Sequence, residues 1–192
     1  MAEITLTSIP CLGGVDLRIG AIRVLERDDL ALISVAVPQE GEAAVADALR
    51  STWDLPMPAP QRVSTAGDRS ALWGAPDQVL LLGPRSTEWE GEVAAALDGK
   101  GYVTDQTHAW AILEVRGPGI QAAFERLVPL DLDPEMFPPG AAARTALEHM
   151  AAIVLRLEAE RFLLLSASST AQSFLHAVTT TLTWYEEIAP GA

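Results

Sequence analysis

The residues best suited to chemistry are an aspartate and a histidine in one short polar segment, Asp105 and His108. A carboxylate beside an imidazole can act as a general base with its orienting group, or can ligate a metal ion. Two further carboxylates, Asp131 and Asp133, lie in a later loop. The histidines are scattered singly, without the spacing of a metal site: His108, His149 and His176. No nucleophile accompanies the pair in a recognisable pattern, so a polar turn and a solvated loop are the simpler interpretation.

A second candidate is the run RGPGIQAA, in which Gly117, Gly119 and Ala122 form a G-x-G-x-x-A pattern. The pattern follows a predicted strand and opens a predicted helix, as a dinucleotide-binding turn does. However, Pro118 lies inside the turn, and the position about 20 residues on, where that motif needs an acid, falls near a proline-rich loop. We therefore favour a strand-to-helix turn that needs glycine for its dihedral angles.

A third candidate is the start of a predicted helix, where Arg85 and Ser86 follow Gly83 and Pro84. Backbone N–H groups and a guanidinium there could hold a carboxylate or a phosphate. The anion could belong to a small ligand, to a partner protein or to the chain itself, and the last is the commonest. Five residues are thus candidate structural-anion or partner contacts: Arg85, Ser86, Asp105, Asp131 and Asp133. No catalytic, cofactor-binding or metal-binding residue is predicted.

Composition narrows the classes of partner. The 192 residues carry 13 Lys and Arg against 26 Asp and Glu, a net charge of -13. Nucleic acids and anionic membranes require a positive surface, so the charge favours solubility or a basic protein partner. The single cysteine, Cys11, excludes an internal disulfide and a thiolate zinc site. No apolar run is long enough to span a bilayer, and MAEITLTS lacks the features of an export signal, so the cytoplasm is the expected location.

The chain repeats itself in two places, in the same order. LLLGPRST begins at Leu80, and the similar LLLSASST begins at Leu163. ALISVAVP begins at Ala31, and the similar AILEVRGP begins at Ala111. The two pairs are separated by nearly equal lengths of chain. Such matches indicate an internal pseudo-repeat, of about residues 30–99 and 109–185, within one domain of residues 1–192.

The predicted elements agree with that repeat. Strands are predicted near residues 15–24, 30–37, 70–73, 78–82, 110–115, 143–150, 152–157 and 162–165. Helices are predicted near residues 40–50, 87–97, 120–127 and 170–185. Each half therefore reads approximately β-α-β-β-α. The expected class is α+β, with antiparallel or mixed sheets and helices on one face. Most of the five tryptophans are expected to be at least half buried.

Residues 103–165 resemble the gamma subunit of heterotetrameric sarcosine oxidase. The resemblance rests on the Asp105 turn before a strand, on Gly117-Pro118, and on the loop PLDLDP (129–134) with FPPG (137–140) and ART (143–145). WGAPDQVLLLGP (73–84) fits the earlier half of that family. Its gamma chains are similar in fold to the folate-binding domain of aminomethyltransferases, which agrees with two α+β halves.

The resemblance implies a non-catalytic structural subunit of a four-chain flavoenzyme. The complex would oxidise sarcosine to glycine, pass a one-carbon unit to tetrahydrofolate and form hydrogen peroxide. The alpha subunit, expected to contact this chain directly, would bind NAD and tetrahydrofolate. The beta subunit would bind FAD and FMN, and the delta subunit zinc. The alternatives are a free-standing folate-binding domain and a gamma subunit of a related N-methyl amino acid oxidase or dehydrogenase.

The chain departs from the family pattern at the start of its last helix. The family usually has an arginine-serine pair there, whereas this chain has Ser168-Ser169 and keeps Arg85-Ser86 only in its first half. If the family arginine ties the helix start to an acidic group, the second half of this chain has lost that tie.

Overall fold

The structure, a computed structural model, describes residues 9–188. The N-terminal octapeptide, on which the expectation of no export signal rests, lies outside the described residues. The strands are β1 Asp16–Ile19, β2 Ile22–Glu26, β3 Leu30–Ala36, β4 Val63–Ala66, β5 Arg69–Ala75, β6 Gln78–Pro84, β7 Tyr102–Asp105, β8 Trp110–Arg116, β9 Ala142–Leu147, β10 Met150–Glu158 and β11 Arg161–Ala167. The helices are α1 Glu42–Trp53, α2 Thr87–Ala96, α3 Ile120–Phe124 and α4 Ala171–Ile188.

The strands form two antiparallel sheets that pack face to face. One sheet has the order β1-β2-β8-β11-β10-β9 and the other the order β4-β5-β6-β3-β7. Their inner faces share one apolar core, which includes Leu32, Leu80, Ile112 and Leu165. Each outer face is covered by helices. The layers therefore run helix, sheet, sheet, helix, and the predicted α+β class with helices on one face of each antiparallel sheet is confirmed.

Central strands are buried on both faces, which explains their continuous apolar sequences. In β3, Ile33 and Val35 face helices α1 and α2, while Leu32 faces the other sheet. In β11, Leu164 faces the helix side and Leu163 the other sheet. The side-chain period of two thus divides each Leu-Leu-Leu run between two cores.

Strand register repeats along with the sequence. Ile33 of β3 pairs with Leu81 of β6. Leu113 of β8, the counterpart of Ile33 in the sequence repeat, pairs with Leu164 of β11, the counterpart of Leu81. The two halves therefore share one pairing scheme around their central strands.

The strand that directly precedes each half lies in the sheet of the other half. Strand β2, which precedes β3 in sequence, pairs with β8, and Glu26 lies opposite Leu113. Strand β7, which precedes β8, pairs with β3, and Asp105 lies opposite Ile33. We name β2 and β7 the exchanged strands. The connections that follow them are bonded alike, since Arg27 N–H donates to Ile112 O and Gln106 N–H to Leu32 O, each at 2.9 Å.

Several element boundaries differ from the sequence predictions. The single strand predicted at residues 15–24 is the β1–β2 hairpin, because Gly20, at φ 56°, forms its turn. The strand predicted at 143–150 ends at Leu147, and Met150 begins the next strand. Strands β4 and β7 were not predicted, because both are short edge strands with polar sequences.

Four of the five tryptophans are buried or partly buried, as expected. Trp89 is buried on α2, and Trp53, Trp73 and Trp110 are partly buried, whereas Trp184 is 60% exposed. Within residues 9–188, no helix is long and apolar enough to cross a membrane.

Candidate functional site

The structure brings three of the five candidate residues, Arg85, Ser86 and Asp105, to the junction of the two halves. Arg85 Nη1 donates to Asp28 O at 3.1 Å, and its backbone N–H donates to Asp29 O at 2.9 Å. Its Nη2 lies 3.4 Å from both ring nitrogens of His108. Arg85 therefore ties the β2–β3 connection to the start of α2, using backbone carbonyls of the chain itself. Ser86 caps that helix, since its hydroxyl accepts from Trp89 N–H at 3.2 Å.

Asp105 shapes the turn that follows β7. Its Oδ1 accepts from Thr107 N–H at 2.8 Å, and the Thr107 hydroxyl accepts from Leu32 N–H at 3.1 Å. Partial burial raises the pKa of Asp105, but the Thr107 hydrogen bonds and the charges of His108 and Arg85 outweigh it, so its pKa lies below the ordinary 3.8. Asp105 remains ionised and bonded to Thr107. A carboxylate held by these hydrogen bonds orients a turn. It does not act as the proton acceptor in a catalytic pair with His108.

Glu26 holds the segment before β1 against the same junction. Its carboxylate is 6% exposed and accepts from the N–H groups of Leu12 at 2.9 Å and Gly14 at 2.7 Å. Cys11 Sγ donates to Glu26 Oε1 at 3.5 Å. Burial, followed by the hydrogen bond and charge of Glu26, raises the pKa of the Cys11 thiol from 9.0 to about 11. The thiol is therefore a poor nucleophile at neutral pH.

Cys11 should react slowly with iodoacetamide although it is exposed. A pKa of about 11 leaves roughly 100-fold less thiolate at pH 8 than the ordinary 9.0. The higher intrinsic nucleophilicity of a basic thiolate recovers part of that loss, so we expect labelling about tenfold slower than for a cysteine peptide. Mass spectrometry of timed reactions measures the rate. Labelling at the peptide rate would contradict the raised pKa, and Glu26→Gln should label faster than the wild-type chain.

The cavity at this junction is small. It has a volume of about 50 Å³. Its wall includes Cys11, Glu26, Arg85, His108 and Trp110. That volume holds a few water molecules, whereas a drug-sized ligand needs roughly 300 Å³ or more. The junction therefore links the halves and does not fit a pterin or a nucleotide.

Asp131 and Asp133 lie in a separate loop, where they organise backbone. Asp131 Oδ1 accepts from Asp133 N–H at 3.0 Å, and Asp133 Oδ1 accepts from Glu135 N–H at 2.8 Å. Their side chains are exposed. Sequence reasoning placed these aspartates in a solvated loop, and the structure agrees. His149, at the turn between β9 and β10, and His176, on α4, are both exposed.

The same loop is anchored by a buried arginine that sequence reasoning missed. Arg156 of β10 is 2% exposed. Its Nη1 donates to Leu132 O at 2.9 Å and to Phe137 O at 3.0 Å. Its Nη2 donates to Gln121 Oε1 at 3.0 Å and to Ala159 O at 2.8 Å. Burial lowers the pKa of Arg156 below the ordinary value of an arginine. The hydrogen bonds of the guanidinium, in place of those of a helix or strand, thus hold residues 130–140 on the sheet.

A second missed group is Glu114 of β8, which is 4% exposed. It accepts from Arg27 Nη1 at 2.6 Å and from Arg161 Nη2 at 2.9 Å. Asp29 and Glu158 bind the outer sides of the two arginines. The signal for Glu114 and Arg156 was present in the sequence, as a charge between two apolar neighbours within each strand.

The G-x-G-x-x-A pattern serves close packing. A Cβ on Gly117 would lie 2.7 Å from Ala21 O and 2.8 Å from Ile22 Cα, and one on Gly119 would overlap the Tyr185 hydroxyl. The helix that follows, α3, has only 5 residues. These glycines therefore belong to the contact between a turn, β2 and α4, in agreement with the turn interpretation favoured above.

Gly117→Ala should lower the free energy of unfolding by about 2–4 kcal/mol, because strand backbone blocks the new methyl group and φ is +144°. Gly67→Ala is the matched control, since φ there is +62° and nothing lies within 4 Å of the added Cβ. We expect about 1 kcal/mol for the control. Urea unfolding measures both values. Equal losses would mean that backbone conformation alone, without close packing, explains Gly117.

Among residues 9–188, no group of three or more His, Cys, Asp and Glu residues is placed to hold a metal ion. At the start of α4, Thr170 Oγ1 donates to Ala167 O at 3.0 Å. A local hydroxyl contact therefore stands where the first half uses Arg85.

No protein-family model matches the chain. Over 123 residues the chain is 32% identical to the sarcosine oxidase gamma subunit of Arthrobacter sp, a match that covers 63% of this chain and 60% of that one. It is 29% identical over 143 residues to the gamma subunit of Corynebacterium sp. (strain P-1), covering 73% and 70%. The alignment with the Arthrobacter relative thus spans less than two thirds of its length.

Two solved structures share the fold. A chain of the heterotetrameric sarcosine oxidase of Corynebacterium sp. U-96, in complex with pyrrole 2-carboxylate, matches with a TM-score of 0.77, 22% identity and coverage of 88% and 87%. Aminomethyltransferase T of the glycine cleavage system of Bartonella henselae matches with a TM-score of 0.61, 13% identity and coverage of 83% and 45%. The predicted resemblance to sarcosine oxidase gamma subunits, with an aminomethyltransferase-like fold, is confirmed.

Proposed function

We propose that this chain is the gamma subunit of a heterotetrameric, flavin-dependent sarcosine oxidase and has a structural role in it. The observation that carries this proposal is sequence similarity to two gamma subunits, at 32% and 29% identity. The shared fold supports it further. The complex would oxidise the N-methyl group of sarcosine, giving glycine, hydrogen peroxide and a one-carbon unit for tetrahydrofolate.

The chemistry of that reaction would belong to other subunits. FAD and FMN would lie on beta, NAD and tetrahydrofolate on alpha, and zinc on delta. Two candidate reactive groups among the described residues are held in structural contacts: the Cys11 thiol has its pKa raised to about 11, and Asp105 binds Thr107 N–H. A junction cavity of about 50 Å³ supports the same division of labour.

The proposed partners are the alpha subunit by direct contact and the beta and delta subunits within the complex, in the cytoplasm. Two similar halves within one domain, about residues 30–99 and 109–185, would form the subunit. The matching strand registers and the exchanged strands support that organisation.

The test is co-expression of the tagged chain with the chains encoded next to its gene, followed by affinity purification and an absorbance scan. We expect a yellow complex of four chains, with flavin absorbance that follows the tag through gel filtration. Sarcosine should bleach the flavin bands in the absence of oxygen. A colourless, solitary chain would contradict the subunit proposal, and bleaching only by another N-methyl amino acid would favour a related oxidase or dehydrogenase.

The second candidate is a free-standing folate-binding domain, favoured by the fold shared with aminomethyltransferase T. That function needs a pocket with an acid for the pterin and a base for the glutamate tail. Calorimetry of the isolated chain with tetrahydrofolate tests it. We expect no heat at high micromolar ligand, and saturable heat would favour this candidate over the structural subunit.

A further inference from the structure

We propose that the two proline-rich loops form one docking face for a partner subunit, with apolar side chains of the partner in two cavities and its basic side chains on an acidic rim. We name this surface the proline-loop face, and define it by residues 57–62, 73–78 and 130–144. The inference rests on the proposed function, because it supplies the contact surface that a structural subunit needs.

The larger cavity on this face has a volume of about 250 Å³. Its wall includes Met57, Pro58, Pro60, Trp73 and Pro76. Trp73 is only partly buried, so its ring is available to a side chain that enters from outside. Tryptophan and methionine are enriched at the centres of protein interfaces, where a partner side chain fills a pocket.

The smaller cavity adjoins the larger one, since Pro60 contributes to both. It has a volume of about 170 Å³ and is bounded by Leu130, Met136 and Phe137. Met136 is 68% exposed. Together the two cavities place apolar and aromatic side chains from both halves of the chain on one continuous surface, which marks an interaction site.

Backbone pairing makes this face rigid. Where the two sheets meet, Val63 N–H donates to Gly140 O at 2.9 Å and Ala142 N–H donates to Gln61 O at 3.0 Å. The buried Arg156 holds the loop beneath Met136 through the carbonyls of Leu132 and Phe137. A surface fixed before association loses little conformational entropy on binding, which favours tight docking.

The rim of the face is acidic. Its carboxylates outnumber its guanidinium groups by four to two, and all six residues are exposed: Asp77, Asp131, Asp133 and Glu135 against Arg62 and Arg144. The whole chain carries a net charge of -13. A second copy of this chain would bring the same negative rim, and like charges would oppose that contact. A partner subunit with a basic surface is therefore the occupant that fits.

Two substitutions test the face in the tagged, co-expressed complex. Met136→Glu places a charge beside the smaller apolar cavity and should weaken retention of the partner chains roughly 30-fold or more. Glu135→Lys changes only the rim, since the side chain is exposed, and should weaken retention at low salt but not at high salt. Affinity is measured by titrating purified partner chains onto each variant, after thermal melting has shown that the variant is folded.

Trp184→Glu is the matched control, because Trp184 is a large apolar side chain that is 60% exposed on α4, outside the proline-loop face. We expect wild-type retention for this variant. Loss of the partner with Trp184→Glu and retention with Met136→Glu would overturn the proposed face while leaving the subunit function intact. If the wild-type chain retains no partner, the proposed function fails and the docking face fails with it. Self-association of the isolated chain that Met136→Glu abolishes would identify a second copy as the occupant and overturn the proposal.

Discussion

Replacing Arg156 with methionine should lower the free energy of unfolding by about 3–5 kcal/mol, the largest loss that we expect from one substitution. The guanidinium makes four hydrogen bonds, three of them to backbone carbonyls that no regular structure satisfies. Methionine fills the space beside the Phe162 ring, whose centroid lies 5.2 Å from the guanidinium carbon, but it donates nothing. Buried acceptors left without partners account for most of the expected loss.

Urea unfolding followed by tryptophan fluorescence measures this effect. Arg126→Met is the control, because Arg126 is an exposed arginine near the same loop, and a change within about 0.5 kcal/mol is expected there. Arg156→Lys should recover only a small part of the loss, since an ammonium group cannot reproduce the planar fork of donors. Limited proteolysis should cut the methionine variant first between residues 129 and 141. A stable variant with a protected loop would show that the arginine is dispensable.

Glu114→Gln should destabilise the chain by about 3 kcal/mol at neutral pH, the second largest effect that we expect. Glutamine keeps the shape of the side chain but removes the charge that Arg27 and Arg161 share. Each arginine also binds an exposed carboxylate, Asp29 or Glu158, so neither is left wholly unpaired. That second partner places the expected loss at the lower end of the range for a broken buried ion pair.

The same substitution should change how stability depends on pH. Burial raises the pKa of Glu114, but the hydrogen bonds and charges of Arg161 and Arg27 outweigh it and hold the pKa below the ordinary 4.5. The unfolded chain therefore binds more protons at Glu114 than the folded chain does between the lowered pKa and 4.5. The contribution of Glu114 is complete above pH 4.5 and is lost as pH falls through the folded-state pKa.

The measurement is the difference in unfolding free energy between wild type and Glu114→Gln across the acid range. The difference should stay constant near neutrality and shrink as pH falls below 4.5. Glu160→Gln, at an exposed position, should show no such trend. A difference that grows on acidification would mean that Glu114 is protonated more readily in the fold than in the unfolded chain.

Local pattern was sufficient to predict the central elements and their class. Apolar runs identified β3, β6, β8 and β11, and repeated leucines indicated which of those strands correspond. Edge strands β4 and β7 were not predicted, because their sequences, VSTA and YVTD, are short and half polar. No apolar periodicity therefore distinguishes them from loops. The pairing of β2 and β7 with strands of the other half was not predicted for another reason. Nothing near Glu26 in sequence indicates a partner as distant as Leu113.

The candidate site was predicted in part. Arg85 was expected at an anion contact, and in the structure it bonds to carbonyl oxygen of the β2–β3 connection, beside His108. The residues with the largest structural roles, Arg156 and Glu114, were taken as ordinary strand positions. A charged residue in an apolar strand can face solvent or can be buried against partners. Only its long-range contacts determine which of the two occurs. The partners of Arg156 include the carbonyl of Leu132, which has no side-chain signature.

The exchanged strands have a consequence for how the chain is made. During synthesis β2 leaves the ribosome long before β8, and Glu26 must wait for Leu113 to appear. At about 5–20 residues per second the wait lasts roughly 5–20 seconds. The sheet that contains β3 likewise lacks its edge strand β7 until Tyr102–Asp105 has emerged from the ribosome. Neither sheet is complete while only the first half exists, so the nascent chain presents unpaired strand edges for that whole interval. A chaperone that binds extended apolar segments would therefore meet its substrate in the first half. It would be released as β7 pairs with β3 in one sheet and β8 pairs with β2 in the other.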